Sequence, residues 1–173
     1  MDNNTAGQLP KKIDAERFLT RLDETATIFH FAAFDDAKPD TKPPKHFEGT
    51  LDAVWPTLYG LNVAGYGVFV TVNEVAAGKP RTAENVTRVR AVFRDWDTPG
   101  KQKPALPLDA VCIESSPGKF HEYLPVEAGF PLELFKPCQQ ALIDNYGSDK
   151  QVNDLPRVMR LPGTLNNKPE AGG

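Results

Sequence analysis

Sixteen prolines in 173 residues set the first limit on this chain. Each lacks a backbone N–H and disfavours helix at the residue before it, so the sequence is punctuated into short segments. Apolar residues make up 40% of the chain, enough for a core, which excludes a disordered protein by composition. A chain of this length builds one domain, or one domain made of two small lobes. No run approaches the roughly 18 consecutive apolar residues of a membrane span. The start, MDNNTAGQLPKK, is polar and has no apolar signal segment, which predicts a cytoplasmic protein. A pI of 5.6 argues against coating nucleic acid by bulk charge but leaves room for a local basic groove. Cys112 and Cys138 lack metal-ligand spacing and read as buried free thiols.

The segments resolve into an α+β pattern. Residues 14–24 read as a helix, with Phe18, Leu19 and Leu22 on one face. Residues 25–34 are β-branched and aromatic and predict a strand. Residues 35–49 form a polar, proline-rich stretch and predict a loop. Residues 50–62 place Leu51, Val54, Trp55, Leu58 and Leu61 at helical spacing despite Pro56. Residues 65–74 are the clearest strand. A helical turn over 82–89 precedes a strand running to Asp97. Strands over 108–116 and 119–126 flank the turn at Ser116-Pro117-Gly118. A helix over 131–147 spaces Leu134, Cys138, Leu142 and Tyr146 by four, with Gly147 as its C-cap and Pro137 inside it. Residues 154–168 read as a short strand or turn assembly. Strands and helices mix without strict alternation, so the sheet is mixed or antiparallel.

Three segments carry chemistry. The first is RAVFRDWDTPG, residues 90–100. Alternation along a strand puts Val89, Ala91 and Phe93 on the core side and Asp95 and Asp97 at the end of the same row. Two carboxylates so close repel unless a cation or proton offsets them, and hard divalent ions take such oxygen ligands. A solvated strand end uses the same residues for turn-making. The second is ESSPGKFHEYL, which gathers Ser115, Ser116, Lys119 and His121 about a hairpin turn. Hydroxyls, turn amides, an ammonium and an imidazole suit a polyphosphate, and a plain hairpin rim is the alternative. The third is DLPRVMRLPGTLNNK. It supplies Asp154, the bidentate donors Arg157 and Arg160, and a Pro162-Gly163-Thr164 turn that aims Asn166 and Lys168 to one side. Together these residues suit metal-assisted phosphoryl or nucleotidyl transfer, in which two ions about 4 Å apart serve attacking and leaving oxygens. The chain has no Walker loop, no GxGxxG after a strand and no GxSxG elbow.

Asp-x-Asp at a strand end, then Ser-x-x-x-x-His, then an Asp before RVMRLPGTLN, resembles the archaeo-eukaryotic primase superfamily. More narrowly it is similar to the RepB-type plasmid and phage primases and allied primase–polymerases. The likeness extends over about residues 25–168. Trp96 departs from it, standing where a smaller aliphatic residue is usual; it points to the other face and is expected to pack.

The resemblance implies a two-lobed α+β core with an RRM-like sheet and a site in the cleft between lobes. It implies template-directed synthesis from nucleoside triphosphates with two Mg²⁺ or Mn²⁺ ions. Asp95, Asp97 and Asp154 would hold metal, with Asp144 and Asp149 lying nearby in sequence. His121 would contact the triphosphate, with Ser115, Ser116, Lys119, Arg157 and Arg160 as further nucleotide contacts. A single-stranded DNA template would follow Arg88, Arg90 and Lys168. Residues 1–12 are then a flexible lead-in, 13–168 the catalytic domain and 169–173 a boundary. Relatives often continue into a helical priming domain or a helicase. Two other readings stay open: a non-catalytic single-strand-binding module of the same fold, and a metal-dependent nuclease.

Overall fold

The computed structural model describes residues 9–37, 42–106 and 110–169. The first lobe holds helix α1 (Lys12–Leu22), strands β1 (Phe29–Asp35) and β2 (Lys45–Gly49), helix α2 (Leu51–Val63) and strand β3 (Tyr66–Thr71). A small ribbon of β4 (Glu74–Val75) and β5 (Val86–Arg88) follows, with a short 3₁₀ turn between them. The second lobe holds β6 (Ala91–Trp96), β7 (Val111–Ser116), β8 (Lys119–Pro125) and α3 (Leu132–Tyr146). The last strand, β9 (Val158–Arg160), returns to the first sheet. The two main sheets run β2-β1-β3-β9 and β6-β8-β7, and every pairing in them is antiparallel.

One core joins the lobes. Phe18 of α1 meets Tyr123 of β8 edge-on, ring centres 4.9 Å apart, and Phe93 of β6 packs on Phe135 of α3 at 5.7 Å. Leu58 of α2, Val68 and Val70 of β3 and Leu161 complete it with no exposure. Val89, Ala91 and Phe93 are buried as expected, but so are Arg90, Val92 and Arg94 between them, so both faces of this stretch are covered. Helices α2 and α3 run through Pro56 and Pro137, and each holds because its inner face is buried: Leu51, Leu58 and Asn62 in α2, and Phe135, Gln139, Leu142 and Ile143 in α3. Thr50 caps α2 by accepting the Ala53 N–H at 3.2 Å. Gly147, at φ +70°, ends α3.

Several expectations are corrected. The stretch 35–49 contains strand β2, which lies at the sheet edge and is mostly exposed. Polar residues are stable there because only one side of the strand is paired. Residues 38–41 of that stretch, residues 1–8 of the lead-in, the beginning of the strand expected from 108, and residues 170–173 lie outside the described residues. Lys11 and Lys12, expected in the lead-in, are tied down: the Lys11 N–H donates to Gly163 O at 2.7 Å, and α1 begins at Lys12. Cys112 is exposed on the outward row of β7, and Cys138 is half-buried. Among the described residues, no helix is long and apolar enough to cross a membrane.

Candidate active site

Strand β6 delivers the acidic pair. Asp95 pairs with His121 of β8, and His121 pairs in turn with Ile113 of β7, so the three side chains form one row. The outer edge of β6 is covered by polar groups from α3 and the segment after it. The Gln139 amide accepts the Phe93 N–H at 3.1 Å and donates back to Phe93 O. Beyond it, the Asp95 N–H donates to Ser148 Oγ at 3.1 Å and the Asp149 N–H donates to Asp95 O at 3.0 Å. That last bond sets Asp149 beside Asp95.

The hairpin of β7 and β8 brings the phosphate-type donors. Gly118 takes φ +74° in its turn, and a register shift between Glu114 and Ser116 re-aims the two serines. Lys119 Nζ lies 3.0 Å from Asp97 Oδ1. From the first sheet come Phe69 and Arg160, paired across β3 and β9, with the guanidinium 4.8 Å from the ring centre. The Asn166 amide donates to Ser115 O at 3.3 Å and ties the segment after β9 to the hairpin.

These groups line one cavity of about 370 Å³ between the sheets. Its walls hold the carboxylates of Asp95, Asp97 and Asp149 together with Lys119, Arg157, Arg160 and Lys168. Ser115, Ser116 and His121 complete the polar lining. Burial, then repulsion from Asp97 and Asp149, pushes the Asp95 carboxyl up to about 6, against the pull of Lys119 and Arg157. Burial, then the Arg160 charge, holds His121 down at about 4, so its ring is neutral at pH 7. His121 Nε2 stands 3.7 Å from Asp95 Oδ1, and its buried Nδ1 has no hydrogen-bond partner among the described residues.

The structure thus brings together Asp95, Asp97, Ser115, Ser116, Lys119, His121, Arg157, Arg160 and Lys168, all singled out from sequence. It does not bring Asp154, Arg88 or Arg90 there. Asp154 is ion-paired with Arg157 and does not line the cavity, whereas Asp149, beside Asp95, does. Arg88 and Arg90 both pair with Asp23, at the end of α1, and Arg90 is buried over the Phe29 ring. With Glu74, they line a different cavity. The choice among nearby acids was not resolvable from sequence, because the deciding signal is a main-chain bond.

Among the described residues, no three His, Cys, Asp or Glu side chains converge tightly enough to enclose a metal by themselves. The donors present are hard oxygens, and the Asp95 carboxyl, raised chiefly by burial, also meets the charges of Asp97 and Asp149. That set suits Mg²⁺ or Mn²⁺ held by one or two carboxylates, with water and phosphate oxygens completing the shell.

The fold is that of the archaeo-eukaryotic primase–polymerase domains. It superposes on the AEP domain of the cyanophage S-2L primase–polymerase with a TM-score of 0.75 at 19% identity, covering 95% of this chain and 87% of that one. It also matches the catalytic domain of primase RepB′, crystallised in complex with initiator DNA, with a TM-score of 0.64 at 17% identity, covering 92% and 80%. A longer RepB′ primase structure matches with a TM-score of 0.63 at 20% identity, and this chain spans 51% of its length. Residues 97–173 match the family model of the RepB DNA-primase N-terminal domain. No curated protein matches its sequence significantly. The matched span begins at Asp97 and contains every cavity residue of the hairpin, of Asp149 and of the segment around β9.

Proposed function

We propose that this chain is a metal-dependent primase–polymerase core that joins nucleotides on a single-stranded DNA template. The observation that carries the reading is the meeting of Asp95, Asp97 and Asp149 with His121, Lys119 and Arg160 in one cavity between two sheets. Clustered acids beside phosphate-type donors have no use in a plain nucleic-acid binder, and they suit a reaction at a phosphate that needs cations. The complex of the RepB′ catalytic domain with initiator DNA supports a DNA partner for this fold.

Bound Mg²⁺ or Mn²⁺ would lower the pKa of the attacking hydroxyl and neutralise the leaving pyrophosphate. Asp95 and Asp97 would hold the ions, with Asp149 beside them. The neutral His121 ring can donate one N–H to a triphosphate oxygen without adding charge. Lys119, Arg160 and Lys168 supply the positive charge that orients the β and γ phosphates. Ser115 and Ser116 offer hydroxyl donors at the hairpin rim. The primer 3′ oxygen bonds to the α-phosphorus, the α–β bridging bond breaks, and the hydroxyl proton is released with pyrophosphate. Phe69, under the Arg160 guanidinium, offers an aromatic face for a base or sugar.

The test is nucleotide incorporation on primed and unprimed single-stranded DNA with Mg²⁺ or Mn²⁺, beside the Asp95→Ala/Asp97→Ala variant. Metal-dependent product from the wild type alone supports the reading, and the unprimed lane reports strand initiation. Template degradation without triphosphates would mark a nuclease. Binding without product or degradation would mark a non-catalytic module.

A further inference from the structure

A second cavity, of about 510 Å³, lies against the first sheet away from the catalytic one. Its polar lining comes from His30, His46, Glu48, Gly78, Lys79 and Arg81. The strand register relates the two cavities. His46 pairs with Ala32, Ala32 with Phe69, and Phe69 with Arg160, so the four side chains form one row on one face. Phe69 and Arg160 line the catalytic cavity, and His46 lines the second. Three strand spacings separate the ends of the row, about 14 Å, which is the span of about four stacked nucleotides.

The ground between them carries the guanidiniums of Arg81 and Arg157 and the carboxylate of Asp154, ion-paired with Arg157. Arg81 donates to Pro156 O, and the next residue, Arg157, lines the catalytic cavity. The Arg157 carbonyl accepts the Val72 N–H at 3.0 Å, which pins this wall to the end of β3. One guanidinium therefore stands on each side of the segment that divides the cavities. Among the described residues, the one carboxylate lining the second cavity is already engaged. Glu48 accepts the Gly78 N–H with Oε1 at 3.1 Å and Oε2 at 2.9 Å, and Oε2 lies 3.4 Å from His30 Nε2. Lys79 is left to face an anion, with the imidazole of His46 beside it and the guanidinium of Arg81, anchored on Pro156 O, at its side.

We infer that this second cavity is a docking subsite for single-stranded nucleic acid, continuous with the strand held in the catalytic cleft. Arg81 and Lys79 take its phosphodiester, and His46 offers a ring on which a base stacks. The inference rests on the proposed template-directed function and assigns the strand a path across the first sheet.

The test uses the whole chain and fluorescent oligodeoxythymidylates of four and sixteen nucleotides, titrated in chelator without triphosphate. The wild type should bind the sixteen-mer much more tightly than the four-mer. Lys79→Glu and His46→Ala should each weaken the sixteen-mer by about tenfold while changing the four-mer little, and Lys79→Glu should lower the salt slope by about one. Equal loss for both lengths, equal loss for a sixteen-base-pair duplex, or no loss in variants of native circular dichroism would overturn it. Incorporation assays separate the two claims. Length-selective loss in a protein that makes no product upholds the subsite and ends the polymerase reading. Robust synthesis with unchanged binding does the reverse.

Discussion

Asp36 and Arg160, 124 residues apart, form a two-pronged ion pair, with Nη1 to Oδ2 at 3.0 Å and Nη2 to Oδ1 at 3.3 Å. Both side chains are buried. Asp36 Oδ2 also accepts the Asn167 N–H at 3.1 Å, so one carboxylate places the cavity's arginine and the backbone beside Lys168. It has room because residue 67 is glycine: a Cβ there would overlap the Asp36 carboxyl.

Asp36→Ala should therefore cost about 3–5 kcal/mol by urea unfolding, since Arg160 keeps a buried, unpaired charge. Gly67→Ala should destabilise for a different reason, by pushing the carboxylate out of place. Asp36→Asn, the same size, should raise the KM for triphosphate by about tenfold as Arg160 loses its fixed orientation. A KM equal to wild type in a folded Asp36→Asn protein would show that Arg160 does not need this anchor.

Asp149 and Asp154 make opposite predictions. Asp149→Ala should cut incorporation by about a hundredfold or more, as expected for a group beside the reacting charges. Asp154→Ala should cut it less than about tenfold, acting only through the placement of Arg157. Equal losses, or a larger loss at position 154, would return the third carboxylate to Asp154.

Asp95 should trade stability for chemistry. Its carboxyl is raised to about 6 in the folded chain, so the native state holds the proton more tightly than the unfolded one. The stability this contributes is present below the unfolded pKa and is lost as pH rises through about 6, worth about 3 kcal/mol. At pH 8 in chelator, Asp95→Asn should melt several degrees above wild type and make no product. A lower melting temperature would mean that its carboxylate is satisfied rather than crowded.

Asp23 should show the opposite slope. Burial pushes its carboxyl up, but hydrogen bonds from Arg90, Thr25 and Arg88 outweigh that and hold it at about 2. This stability is present above the unfolded pKa and is lost as pH falls through about 2, worth about 2 kcal/mol. Urea titrations of wild type and Asp23→Asn should converge as pH drops from about 5. Parallel curves would place the acid sensitivity elsewhere.

The sequence carried the parts of this fold that depend on local pattern. Alternation through Val89, Ala91 and Phe93 located Asp95 and Asp97 at a strand end, and four-residue spacing with Gly147 located α3. The hairpin was legible from its turn, and it places Ser115, Ser116, Lys119 and His121 in the cavity. What escaped depends on distant partners. Strand β2 is polar and proline-flanked, and only pairing with β1 makes it a strand. Arg88 and Arg90 look like template contacts until Asp23, at the far end of α1, claims them. Asp36 reads as one more loop acid, because the arginine it holds comes 124 residues later.

The tie between Asp149 and Asp95 runs through a peptide N–H and a peptide C=O. Every amino acid except proline brings that donor, so the address of position 149 is independent of the side chain living there. Location and charge are thus separable, and a lineage could lose or regain the third acid by a single substitution without rebuilding the sheet that presents it.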